Sequence, residues 1–252
     1  MLLVEARQKH LAQILPECMK EYGLRTALDA GCGVGYFSGF LLDLGFEVTA
    51  FDARPANIEE ARARHPGVSF HVADMEDGAL ERFGQFDFVL CYGLIYHLEN
   101  PMRAFRLLRG LTGKLMFLEG MAIPDETPAL YLRDEPPIED QGVSFLGAYP
   151  SEGALWKMAY RAGFPHVARM ASPPDHEDYR LLLGRKPVRA MMAASTAPLG
   201  SPNFVAVSEP RNPPDPWTTD PTGITKMFRR FRNFMRKPAS ERIPSLRRRY
   251  LR

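Results

Sequence analysis

From residue 26 onward, short runs of consecutive apolar residues alternate with stretches whose apolar positions recur every three to four residues. That order predicts an α/β fold, a sheet with helices on both faces. The runs are "TALDAG" (26–31), "EVTAFD" (47–52), "VSFHVAD" (68–74), "FDFVLCYG" (86–93) and "KLMFLEG" (114–120), with helical stretches near 35–44, 55–64 and 100–110 between them. Nearly continuous apolar character suits strands covered on both sides. Ahead of them, residues 1–24 read as an amphipathic helix, because the stretch has neither a long apolar centre nor a small-residue cleavage site.

The rhythm breaks over 121–150, where "PDETPALYLRDEPPIEDQGVSFLGAYP" is too rich in proline and acids for a clean element and reads as an insertion. Helical periodicity returns in "SEGALWKMAYRAGF", with Ser151 as N-cap and Gly163 just past the end. "HVARMA" follows as a strand, and "YRLLLG" and "NFVAVS" compete for the final one, the second being preferred. Seven prolines fall between Pro198 and Pro221, the mark of an extended connector. The expected organisation is a helix over 1–24, one domain over 25–209, a linker over 210–219 and a tail over 220–252.

Charge changes the picture only at the end. The net charge of +2 conceals an excess of +10 from Lys226 to Arg252, so the first 225 residues sum to −8. Within "DPTGITKMFRRFRNFMRKP" (220–238), Ile224, Met227, Phe228, Phe231, Phe234 and Met235 fall on one helical stripe beside arginines. Such a helix suits an anionic membrane surface, a partner protein or its own domain, and RNA less well. No apolar run approaches the roughly 18 residues that a membrane span needs, so the expected location is cytoplasmic, peripheral at the inner membrane face if the tail binds there. Cys18, Cys32 and Cys91 have no paired spacing, which predicts reduced thiols in place of a disulfide framework or zinc site. The acids of "DEPPIED" (134–140) match no cation-binding spacing, and no metal is expected.

The chemistry concentrates in "ALDAGCGVGYFS" (27–38). A strand entering Gly31, Gly33 and Gly35 and then a helix lets backbone approach a ligand closely beside a helix N-terminus. A dinucleotide fingerprint needs glycine at 36, which is Tyr36 here. Asp52 closes the next strand, 21 residues after Gly31, where a carboxylate can accept from both ribose hydroxyls.

On "LDAGCGVGYFS" and the order of the later motifs, the chain resembles the class I S-adenosylmethionine-dependent methyltransferases over about residues 25–209. The resemblance implies a Rossmann-like sheet of seven strands with a reversed last strand, and S-adenosylmethionine as cofactor, leaving as S-adenosylhomocysteine. It places the methionine part of the cofactor along the glycine loop, the Asp74 carboxylate at the adenine amino group and Met75 over the ring. Asp29 either contacts the cofactor or organises the loop. Tyr92 joins the cofactor-binding set.

"CYGLIYHLENP" (91–101) ends the fourth strand at the same edge. An alcohol acceptor must lose its proton as it attacks, and His97, four residues past Gly93, is the candidate base. Tyr96 is the candidate acceptor-binding residue, and Glu99 and Glu119 are competing bases. "GLIYHLENP" is also similar to a bacterial subgroup that includes the tRNA wobble-uridine carboxymethyltransferases, from which this chain departs by its short N-terminal region and its negative cofactor-domain charge. The expected reaction is O-methylation of a saccharide or small hydroxylated metabolite. tRNA wobble modification and a non-catalytic scaffold are the alternatives.

Overall fold

Each of the five apolar runs becomes a strand: β1 Thr26–Ala30, β2 Glu47–Asp52, β3 Ser69–Val72, β4 Phe86–Tyr92 and β5 Thr112–Met121. Adjacent strands among them pair in parallel. Successive side chains on a strand face opposite ways, and here both faces are covered. Phe88, Leu90 and Tyr92 of β4 pack with α1 (Leu3–Tyr22), α2 (Tyr36–Asp43) and α3 (Pro55–Arg64). Val89 and Cys91 pack with α4 (Pro101–Leu111) and α5 (Glu152–Ala162). α1 stops at Gly23, whose φ of 60° is the left-handed turn that glycine adopts without strain. Ser151 caps α5 by accepting from the Ala154 N–H at 3.0 Å, and Gly163 ends it, as their sequence positions suggest.

The computed structural model describes residues 2–76, 79–136, 142–180 and 188–211. The chain divides into two units, Met1–Arg211 and Asn212–Arg252. The amphipathic stripe expected over 220–238 lies outside the described residues. Among the described residues no helix is long and apolar enough to cross a membrane.

Among the described residues the sheet has eight strands where seven were expected. Its remaining members are β8 (His166–Met170), β9 (Arg189–Ser195) and β10 (Phe204–Ala206), in the order β3-β2-β1-β4-β5-β9-β8-β10. β9 runs antiparallel to β5 on one side and to β8 on the other. It is the reversed strand, and its sequence, "RAMMAAS", is neither of the two segments that competed for that place. Alanine and methionine carry little strand preference; this segment extends because both of its edges are paired and Met191–Ser195 are buried. "NFVAVS" contributes only the three residues of β10, on the outer edge of β8.

The insertion also holds more order than its composition suggests. β6 (Leu130–Asp134) and β7 (Leu146–Pro150) form a two-stranded antiparallel ribbon. All five residues of β6 are exposed, so the apolar pattern that marks a buried strand is missing. Cys18, Cys32 and Cys91 are buried and free of disulfides. Burial pushes the Cys18 thiol up to about 12 and the other two higher still, which keeps all three protonated at neutral pH.

Candidate functional site

The C-terminal ends of β1 to β4 enclose a cleft of about 310 Å³. It lies where strand order reverses between β1 and β4, the place at which open parallel sheets hold ligands. Across its floor the Gly31 and Cys32 N–H groups both donate to the Phe51 carbonyl at 2.9 Å, pinning the glycine loop to β2. Gly33 sits at φ 53°, and a Cβ placed there would meet nothing within 4 Å. Its missing side chain is therefore open cleft. The other two glycines have different work: a Cβ on Gly31 would meet the Leu94 side chain at 3.0 Å, and one on Gly35 would meet Phe70 and Ala61 at 3.1 and 3.2 Å. Gly35 serves the packing of α2 on α3. Gly33→Val is expected to cost about 1–3 kcal/mol of stability from its positive φ and to occupy the cleft, which denaturant unfolding and ligand calorimetry read separately.

Asp52 ends β2 on the cleft wall. Its Oδ2 accepts from the Gly33 N–H at 3.0 Å, and its Oδ1 from the Arg54 N–H at 2.9 Å and the Asn57 amide at 3.0 Å. An ionised carboxylate offers about four acceptor sites, so capacity remains for a ligand hydroxyl. Asn57, one helical turn into α3, was not singled out in the sequence because an asparagine near a helix start has no distinguishing spacing. Asp74 and Met75 line the same cleft; Asp74 Oδ1 accepts from the Glu76 N–H at 2.9 Å, while Met75 is buried in its wall.

Asp29, Gly35, Tyr92 and Tyr96 are not among the residues lining the cleft. Asp29 is buried beneath the loop and accepts from the Ser38 hydroxyl at 2.6 Å, tying β1 to α2. Burial pushes its carboxyl from 3.8 up to about 7; the Ser38 hydrogen bond opposes this and the Asp52 charge adds to it. Between those values the folded state holds a proton that the unfolded chain releases. Stability is thus fully present below about 4 and falls as pH rises to about 7. Asp29→Asn is expected to remove that part of the slope, measured as urea midpoints at about pH 5 and about pH 8.

Tyr92 lies beneath the sheet edge with its ring edge-on to Phe37 at 5.4 Å. Burial drives its hydroxyl well above the ordinary tyrosine value. Tyr96 lies against His97 at a tilt, with centroids 4.1 Å apart, and so close to β5 that a Cβ on Gly120 would stand 2.9 Å from its ring.

Gly93, at φ 73°, donates its N–H to the Glu119 carbonyl at 2.8 Å and turns the chain off β4 into a single 3-10 turn, Ile95–His97. That turn delivers His97 to the cleft wall. His97 Nδ1 lies 2.8 and 2.9 Å from the two carboxylate oxygens of Glu135, a residue of the insertion. No sequence pattern marks this pairing, because 38 residues separate the partners and Glu135 lies in an acidic, proline-rich stretch. Glu135 is in fact buried. Ser144, also from the insertion, lines the cleft with Val143.

Of the competing bases, Glu99 is exposed on the surface. Glu119 is fully buried and lies 2.6 Å from Arg7 and 3.3 Å from Arg189, and it accepts from the Tyr179 hydroxyl at 2.7 Å. It is taken up by these partners and does not line the cleft. Among the described residues no group of three or more His, Cys, Asp or Glu is placed to hold a metal ion.

Residues 28–113 match the methyltransferase domain family. The tRNA U34 carboxymethyltransferase of Campylobacter jejuni is 27% identical over 174 residues, covering 66% of this chain and 58% of that protein. The ubiquinone biosynthesis O-methyltransferase of Xanthomonas campestris is 34% identical over 136 residues, covering 49% of this chain and 56% of its own length. The chain thus spans under three fifths of either relative. In fold it is similar to the N-terminal domain of EvdMO1 solved with S-adenosylhomocysteine, with a TM-score of 0.59 at 19% identity over 71% of this chain and 79% of that one. A putative S-adenosylmethionine-dependent methyltransferase from Listeria monocytogenes gives 0.57 at 15% identity, over 77% and 99%.

Proposed function

We propose that this methyltransferase domain transfers a methyl group from S-adenosylmethionine to a hydroxyl of a small metabolite or saccharide. The observation that carries the reading is the open space beside Gly33 with the Asp52 carboxylate across from it. The cleft volume suits a small-molecule ligand. Gly33 offers bare backbone to the cofactor, Asp52 the acceptor for its ribose, and Asp74 and Met75 the wall for its base. When bound, S-adenosylmethionine would supply an electrophilic methyl group with a neutral thioether as its leaving group.

What remains for the protein is to align that oxygen, exclude water and take up its proton. His97 is the group at the cleft suited to the last task, with its Nδ1 engaged by Glu135 and its Nε2 left to accept the hydroxyl proton. The partial similarity to an O-methyltransferase supports an oxygen acceptor. The saccharide preference rests on family resemblance.

The match to the tRNA enzyme covers more of the chain and supports wobble-base modification as the second reading. Against it stands the charge of −8 over the first 225 residues, which repels a polyanion. Two measurements separate the readings: calorimetry of the full-length protein with S-adenosylhomocysteine, and transfer of labelled methyl to catechol, D-fucose and unmodified tRNA. Label in a methyl ether is the expected result. Label on tRNA replaces it with the second reading, and absence of cofactor binding leaves only the scaffold.

A further inference from the structure

We propose that Glu135 is the positioning residue of the site, fixing His97 in the tautomer whose free nitrogen is Nε2, and that the β6–β7 ribbon exists to deliver it; the base role of His97 is taken from the reading above. Among the described residues, each partner of the Glu135 carboxylate is a group able to donate. Its Oε2 accepts from the Gly142 N–H at 2.8 Å, a group that can do nothing but donate, and its Oε1 lies 3.3 Å from the Tyr149 hydroxyl. Both oxygens lie within 2.9 Å of His97 Nδ1. A buried ionised carboxylate can only accept, so the ring nitrogen facing it carries the proton. The neutral imidazole then has its lone pair on Nε2, and the carboxylate stabilises the imidazolium that forms once Nε2 takes up a proton.

The ribbon is shaped for this delivery. A Cβ on Gly142 would stand 2.5 Å from the His97 carbonyl and 3.0 Å from Glu135 Oε2. A Cβ on Gly147 would stand 2.6 Å from the Tyr96 carbonyl and 2.8 Å from Glu135 Oε1. Both glycines have ordinary φ, so closeness of approach and not backbone freedom is what requires them. The one non-glycine residue with positive φ among the described residues, Phe145 at 57°, lies between them. Its carbonyl accepts from the Glu135 N–H at 2.8 Å, so the strained turn holds the residue that carries the carboxylate. The Tyr149 ring then packs against Tyr96 at a tilt, centroids 5.6 Å apart, and completes the row of rings Tyr149–Tyr96–His97. Strands placed here for stability alone would gain nothing from burying a carboxylate at the end of an otherwise exposed β6.

The test reads the ring directly and needs no acceptor. Full-length protein labelled with nitrogen-15 histidine is observed by NMR, free and saturated with S-adenosylhomocysteine, with the His97 signals assigned by their loss in His97→Asn. In the wild type, Nδ1 is expected to be protonated and Nε2 free. In Glu135→Leu the preference for that tautomer should fall by at least about tenfold, as loss of a charge-assisted hydrogen bond implies.

Glu135→Gln guards against misfolding of the leucine variant. Its single amide oxygen is claimed by the Gly142 N–H, so its NH₂ turns toward His97 Nδ1 and favours the opposite tautomer. Gly147→Ala should act in the same direction by pushing the ribbon and its carboxylate away from His97, with the Glu135 side chain chemically intact. A wild-type ring protonated on Nε2, or a Glu135→Gln ring unchanged from wild type, would overturn the proposal. Because the free protein reports the tautomer by itself, a failure to bind S-adenosylhomocysteine overturns the methyltransferase reading and not this one.

Discussion

Asp52→Ala is expected to weaken S-adenosylhomocysteine binding by at least about 100-fold, with fold stability lowered far less. Two effects add. The carboxylate is the acceptor available to a ribose diol, and charge-assisted hydrogen bonds contribute about 1.5–3 kcal/mol each. It also holds three donors of its own, the Gly33 and Arg54 N–H groups and the Asn57 amide, so its loss frees the glycine loop that shapes the cleft. Asp52→Asn separates the two, since an amide oxygen can keep one donor in place while losing charge. Calorimetry on the three proteins decides the matter. Near-equal affinities would remove the ribose role from Asp52 and with it the main support for the cofactor.

The largest effect on stability is expected at Glu119. Its carboxylate is fully buried between Arg7 of α1 and Arg189 of β9, whose side chains are only 11% and 13% exposed. Glu119→Ala leaves two largely buried guanidiniums without their shared counter-charge, Arg189 keeping only Asp178 at 3.1 Å. Breaking such a pair from one side costs about 3–5 kcal/mol, or roughly 6–20 °C in melting temperature for a chain of this size. Arg7→Met removes one cation and leaves the carboxylate with Arg189 and Tyr179, so its cost should be smaller. A shift below about 2 °C for Glu119→Ala, by calorimetric melting, would mean that water reaches the cluster.

The sequence disclosed what repeats and what is local. β1 through β5 and the helices between them carry the periodicity of buried elements, and the Ser151 and Gly163 caps follow from the chemistry of single residues. Gly31, Gly33, Asp52, Asp74, Met75 and His97, all found along the cleft, sit at the ends of those legible strands. What stayed hidden depends on distance along the chain. "RAMMAAS" has no strand preference of its own and extends only because β5 and β8 flank it. β6 is exposed throughout, so no burial pattern betrays it. Glu135 meets His97 only after the ribbon folds back, and an acidic, proline-rich neighbourhood made it look solvated. Tyr92 shows the converse: the sequence reading put it in the cofactor-binding set, whereas the alternation along β4 turns it into the helical layer.

The placement of β9 has a bearing on how the molecule comes into being. A polypeptide emerging from the ribosome exposes β5 and then β8 well before residue 189 is made, and β10, the other neighbour of β8, appears later still. Until β9 slides between them, one rim of β5 and both rims of β8 present unpaired amide groups, the kind of surface that invites pairing with another chain. The same step brings Arg189 to Glu119, so sheet closure and charge neutralisation at the end of β5 arrive together, after β1 to β8 have been made.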